Sequence, residues 1–238
     1  MPAMFLVVAA GAGEEKGKAP AGAVDQGPKV VSAEKEKGKG KRGSSEFLRA
    51  PGGDRYDTEQ GEWRDIPPWR QGSFFGIRAK GKLFIYVVDC SGSMVFEDRL
   101  LRAKDELRKS VLGLREPQKF KVIFYNEEPV AMPGDLPKSA DLAAKDQFLS
   151  WLRMIEPDGG TDPRVAMSLA LGLKPDAVFL LSDGEFPEGT VEAIGKANGR
   201  NKVPIHCVDL SGGASGDQLR RVARESGGEY ASRPWTGH

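Results

Sequence analysis

Leu83-Phe84-Ile85-Tyr86-Val87-Val88-Asp89-Cys90-Ser91-Gly92-Ser93-Met94 is the stretch that decides the fold. Its first six residues are apolar without interruption, the pattern of a strand buried on both faces. Such a strand belongs inside a mostly parallel sheet. Asp89, Ser91 and Ser93 then alternate, so an acid and two hydroxyls can turn toward one point beyond the strand end. A carboxylate with hydroxyls is an all-oxygen donor set, which suits a hard divalent cation. Two later segments extend the set. Gly159-Gly160-Thr161-Asp162 offers a third hydroxyl, Thr161, just before a helix, and Leu180-Leu181-Ser182-Asp183-Gly184 offers a second carboxylate, Asp183, at the end of another apolar run.

Outward from that strand, strands and helices alternate. Leu100, Ala103, Leu107, Val111 and Leu114 repeat at helical spacing and predict a helix over about 97–114. An apolar strand follows over 120–125, then a turn at Asn126-Glu127-Glu128 into a short strand over 129–132 that pairs back antiparallel. Helices are predicted over 139–155 and from Asp162-Pro163 to 173, the proline at a first-turn position where its missing N–H does no harm. Then come a strand over 177–181, a helix over 190–198 and a strand over 205–210. A helix over 217–225, stopped by Gly227, and a short strand over 228–231 complete the chain. The predicted fold class is α/β: a doubly wound, mostly parallel six-stranded sheet, Rossmann-like, with helices on both faces. Ligands of such sheets bind beyond the carboxyl ends of the strands, where all five candidate residues fall or face.

The five positions resemble the metal-ion-dependent adhesion site of the von Willebrand factor type A (vWA) family. That family pattern is Asp-x-Ser-x-Ser, a Thr after a glycine-rich loop, and an Asp after a central strand. Asp89, Ser91, Ser93, Thr161 and Asp183 match it in order, and the resemblance covers about residues 81–232. It implies strand order 3-2-1-4-5-6 and a metal site holding Mg²⁺, or Mn²⁺ or Ca²⁺. It also implies a non-enzymatic module whose partner is a protein presenting an exposed Glu or Asp. The donor chemistry gives a physical reason for that partner, because mostly neutral hydroxyl ligands leave a dication electron-poor and receptive to one more carboxylate.

Each residue also has a plainer role. Asp89 and Asp183 could be turn residues, and Thr161 or Asp162 could cap the following helix. Three segments meeting one pattern favour the shared site. The alternative function is a metal-dependent hydrolase or phosphotransferase on the same kind of sheet. Against it, Ser91 stands where an aspartate-based phosphotransferase would want its second carboxylate, and the chain has no Gly-x-x-x-x-Gly-Lys-Ser/Thr run to cradle phosphates. Cys90 reads as a packing residue at a variable motif position, and His206 as a core histidine within a strand.

With 238 residues and a formal net charge of +1, the overall charge argues neither for nor against a polyanionic partner and has to be judged by region; no nucleic-acid partner is expected. Two cysteines, Cys90 and Cys207, fall on strands not expected to be neighbours and read as free thiols. No apolar run reaches the ~18 residues of a transmembrane helix. Residues 1–13 contain Met4-Phe5-Leu6-Val7-Val8-Ala9-Ala10 before Gly11-Ala12-Gly13, which reads as the end of a signal peptide lacking its basic start. The expected location is therefore periplasmic or extracellular, and otherwise cytoplasmic. Residues 14–60, with Lys35-Glu36-Lys37-Gly38-Lys39-Gly40-Lys41-Arg42, are predicted to be a disordered charged and glycine-rich linker. Residues 61–80 hold Trp63, Ile66, Trp69, Phe74 and Phe75 and read as an aromatic arm that packs on the domain or adds an edge strand, the alternative being an exposed docking motif. The vWA-like domain is expected over 81–238.

Overall fold

A computed structural model describes residues 65–213 and 216–236. The signal-like segment, the charged run and Trp63 lie outside the described residues.

The opening strand is β3 (Leu83–Asp89), after a short hairpin made of β1 (Gln71–Phe74) and β2 (Ile77–Lys80). β3 pairs in parallel with β4 (Lys119–Tyr125) on one side and β7 (Ala177–Ser182) on the other. β7 pairs in parallel with β8 (Ile205–Asp209), and β8 with β9 (Tyr230–Ser232). At the opposite edge β5 (Pro129–Ala131) and the two-residue β6 (Lys138–Ser139) both lie antiparallel to β4. The order β5-β4-β3-β7-β8-β9 matches the expected 3-2-1-4-5-6, with β6 an added piece that its two residues could not announce.

Strand alternation divides the core. Phe84, Tyr86 and Val88 of β3 face one apolar cluster, with Phe179 and Leu181 of β7. Ile85 and Val87 face the other, with Val178 and Leu180. The first face is covered by α1 (Arg99–Gly113) and α2 (Leu142–Leu152), which bring Leu107, Val111, Phe148 and Trp151. The second is covered by α3 (Arg164–Gly172), α4 (Thr190–Asn198) and α5 (Gly216–Ser226), through Met167, Ile194 and Leu219. Each large side chain so buried contributes about 1.5–3 kcal/mol. Among the described residues no helix is long and apolar enough to cross a membrane.

The aromatic arm forms its own hairpin instead of an edge strand. Phe75 and Gly76 both take positive φ (50° and 84°), the geometry of a tight two-residue turn between β1 and β2. Phe74 then enters the core, with ring centroids 5.5 Å from Tyr86 and 5.7 Å from Phe179.

Helix α1 begins later than its apolar spacing predicts. Residues Gly92–Asp98 form tight turns in which Glu97 and Asp98 take left-handed φ of 53° and 50°. A left-handed residue cannot continue a right-handed helix, so the helix starts at Arg99.

Candidate metal centre

The carboxyl ends of β3 and β7 carry the candidate residues. Asp89 is the last residue of β3 and is wholly buried. Its Oδ1 accepts the Ser91 amide at 2.8 Å, which turns the chain sharply at the strand end. Its Oδ2 accepts the Ser182 hydroxyl at 2.7 Å. Ser91 Oγ lies 3.0 Å from Ser93 Oγ, and Ser93 Oγ donates to Asp183 Oδ1 at 2.8 Å. The two hydroxyls and the second carboxylate therefore form one connected row.

Thr161 reaches the same place from a different loop. Its Oγ1 would be 3.4 Å from a Cβ placed on Gly184, directly after Asp183. It makes no hydrogen bond to the other four candidates. Backbone bonds tie the loops together: Gly92 N–H to Gly159 O at 3.0 Å, Asp158 N–H to Cys90 O at 2.8 Å, and Asp162 N–H to Asn126 O at 2.7 Å. Gly159 sits at φ 71°, a conformation that favours glycine. Asp162, outside the set of five, accepts instead from the amide and guanidinium of Arg164.

Burial raises the Asp89 carboxyl to about 6, opposed by hydrogen bonds from Ser91 and Ser182 and reinforced by the charge of Asp183. Two buried acids that repel one another create a place where positive charge is stabilising. The Cys90 thiol is pushed up to about 12, chiefly by burial, and is held in its unreactive protonated form. His206 stacks on Phe179 and accepts the Glu229 amide at Nδ1, as a core histidine. Both cysteines are buried and free.

Sequence reasoning missed Arg99. Its Nη1 lies 2.8 Å from Asp183 Oδ2, and Nη2 and Nε reach Glu97 Oε2 at 2.7 and 3.1 Å. A signal was present: a basic residue in the first turn opposes the helix dipole, so it calls for an acid nearby. Among the described residues no group of three or more His, Cys, Asp or Glu is placed to hold a metal ion. Any ion here would depend on the hydroxyls.

The family model for the von Willebrand factor type A domain matches residues 84–232. The chain belongs to the vWA family. No curated protein matches the sequence at a significant level. Among solved structures, the vWA protein from Catenulispora acidiphila superposes with a TM-score of 0.58 at 16% identity, over 66% of this chain and 40% of that one. An aerotolerance-related membrane protein from Bacteroides fragilis gives 0.53 at 21% identity, over 64% and 92%. The manganese-loaded TRAP protein of Plasmodium vivax gives 0.50 at 16%, over 64% and 68%. This chain thus spans well under half of the Catenulispora chain. At these identities the superpositions speak for the vWA fold alone.

Proposed function

We propose that this vWA domain binds a protein partner through a divalent cation held by Asp89, Ser91, Ser93, Thr161 and Asp183. Domains of the family typically mediate protein–protein interaction and are generally not enzymes. The observation that carries the proposal is the row Ser91–Ser93–Asp183, which draws residues 90 positions apart into hydrogen-bond contact between two buried carboxylates.

The donor chemistry fits Mg²⁺ or Mn²⁺, since all five groups offer oxygen and two of them carry charge. When bound, such an ion supplies a Lewis-acidic site open to a Glu or Asp side chain of the partner. The chain's own residues do the rest. Asp89 is fixed by Ser91 and Ser182, so its orientation is set in advance. The tied loops at 90–93 and 158–162 keep the hydroxyls in register. Val95 and Phe96, two and three residues beyond Ser93, are 59% and 63% exposed. Exposed apolar side chains beside a polar site are a common feature of protein contact surfaces.

Millimolar Mg²⁺ or Mn²⁺ should raise the melting temperature of the purified chain and chelator should reverse the rise. A native-state ligand at 100 times its dissociation constant adds about 2.7 kcal/mol. Melting curves that ignore both ions and chelator would sink the proposal. Once a partner is in hand, changing its docking Glu to Gln should remove the ion-dependent part of binding.

A further inference from the structure

We propose that Arg99 is an internal counter-ion, which holds Asp183 in the ion-free domain and is displaced onto Glu97 when a divalent cation binds. This is a proposal that rests on the metal-binding reading above. It begins from the burial of Asp183, whose side chain is 0% exposed. A buried carboxylate is costly unless it is paired. Both of its oxygens are engaged, Oδ1 by Ser93 and Oδ2 by Arg99. Ser93 is a neutral donor, so Arg99 supplies the compensating charge. The Arg99 side chain is 15% exposed and its guanidinium reaches Asp183 beside the candidate centre.

A dication taken up by Asp183 would meet that guanidinium at close range, where like charges repel strongly in a partly dehydrated site. Arg99 has somewhere to go. Glu97 already holds its Nε and Nη2 and is 44% exposed, so the pair Arg99–Glu97 can persist after Asp183 is released. The link between them can also yield. Glu97 and Asp98 are consecutive non-glycine residues in left-handed conformation, which is unfavourable for both. Movement of Arg99 away from Asp183 would let this loop relax. Because the same loop carries the exposed Val95 and Phe96, ion uptake would alter the apolar surface beside the site.

The test is calorimetric titration of the full chain with Mn²⁺, alongside melting in chelator. Arg99→Gln should bind Mn²⁺ roughly tenfold more tightly than the wild type, as expected for removal of one well-placed competing ion pair. In chelator Arg99→Gln should melt below the wild type, and saturating Mn²⁺ should close the gap. Arg99→Lys keeps the charge but loses the fork that grips both acids, so its affinity should fall between the two. Equal or weaker Mn²⁺ affinity in Arg99→Gln, with the wild type binding normally, overturns the counter-ion role and leaves the metal site standing. Absence of Mn²⁺ binding in the wild type overturns both. Should Arg99→Gln fail to fold, Arg99→Lys decides alone: tighter binding than wild type supports displacement, and equal binding refutes it.

Discussion

Asp89-Cys90-Ser91-Gly92-Ser93 at the end of β3 and Asp209-Leu210-Ser211-Gly212-Gly213 at the end of β8 begin alike and finish differently. In each, the acid is the last strand residue, is wholly buried, and accepts the amide two residues on at 2.8 Å. At β8 the hydroxyl of Ser211 folds back onto the same oxygen at 2.5 Å, and Tyr230 donates to the other at 2.8 Å. At β3 the hydroxyl of Ser91 turns outward to Ser93, and the row continues to Asp183. Among the described residues, the hydroxyl at one strand end returns to its own acid, and at the other it leads on to a second acid. The comparison teaches that Asp-x-Ser after a strand is first a way to turn the chain. It becomes a candidate site only when a third hydroxyl and a second carboxylate face it.

The largest expected effect separates the two ends outright. Asp183→Ala should erase the whole stabilisation by Mn²⁺, about 2.7 kcal/mol at 100 times the dissociation constant. Asp209→Ala should leave that increment intact while lowering stability with or without ion. Its cost should be about 1–3 kcal/mol, because the Tyr230 and Ser211 hydroxyls lose a buried acceptor. Urea unfolding with Mn²⁺ and with chelator measures both. An Asp209→Ala protein that no longer responds to Mn²⁺ would place the ion at the wrong strand end.

A smaller effect is expected at the fifth position of each motif, Ser93 against Gly213. Ser93→Ala should weaken Mn²⁺ affinity roughly 10- to 100-fold, in the range seen when groups supporting a metal are removed. Gly213→Ser should create no second ion site, because among the described residues Asp209 Oδ2 meets the Tyr230 hydroxyl, with no second carboxylate bonded into the row. It should instead cost about 1 kcal/mol, since Gly213 lies at φ 129°, where a side chain is strained. Calorimetric stoichiometry answers both questions, and a second Mn²⁺ equivalent in Gly213→Ser would break the comparison.

Much of this contrast was legible in the sequence, and the reasons are local. Continuous apolar runs such as Leu83–Val88 and Ala177–Leu181 leave few options but buried parallel strands. Helical spacing likewise marked Leu100, Ala103, Leu107 and Val111, all of them buried in α1. What the sequence hid depends on contacts between distant segments. The place of Arg99 in the first turn signals that an acid is near, but not which one until β7 brings Asp183 to it. Ser182 looks like strand filler until its hydroxyl meets Asp89. The late start of α1 was hidden because Glu97 carries no sequence mark of left-handed backbone and Asp98 only a weak one. The arm's aromatics signalled packing, and Phe75-Gly76 held the turn that made a hairpin of it.

The smallest effect is one of pH, and the two strands should show it with opposite sign. His206 in β8 is buried, which pushes its imidazole down to about 4 from the usual 6.5. The folded state thus disfavours the charged ring. Its contribution is fully present above pH 6.5 and fades as pH falls toward 4. Asp89 in β3 is raised to about 6 from 3.8, chiefly by burial. In the ion-free domain its contribution is fully present below pH 3.8 and is lost as pH rises through 6. Between pH 7 and 5.5, His206 should therefore cost and Asp89 return stability, each on the order of 1 kcal/mol at about 1.4 kcal/mol per pKa unit. In chelator the two contributions oppose one another in the wild type. His206→Asn keeps an acceptor for the Glu229 amide but does not titrate, so it should grow more stable on acidification. Asp89→Asn should grow less stable. Urea melts of the three proteins at pH 7 and 5.5 test the pair, and parallel slopes in both variants would show that neither strand carries the charge assigned to it.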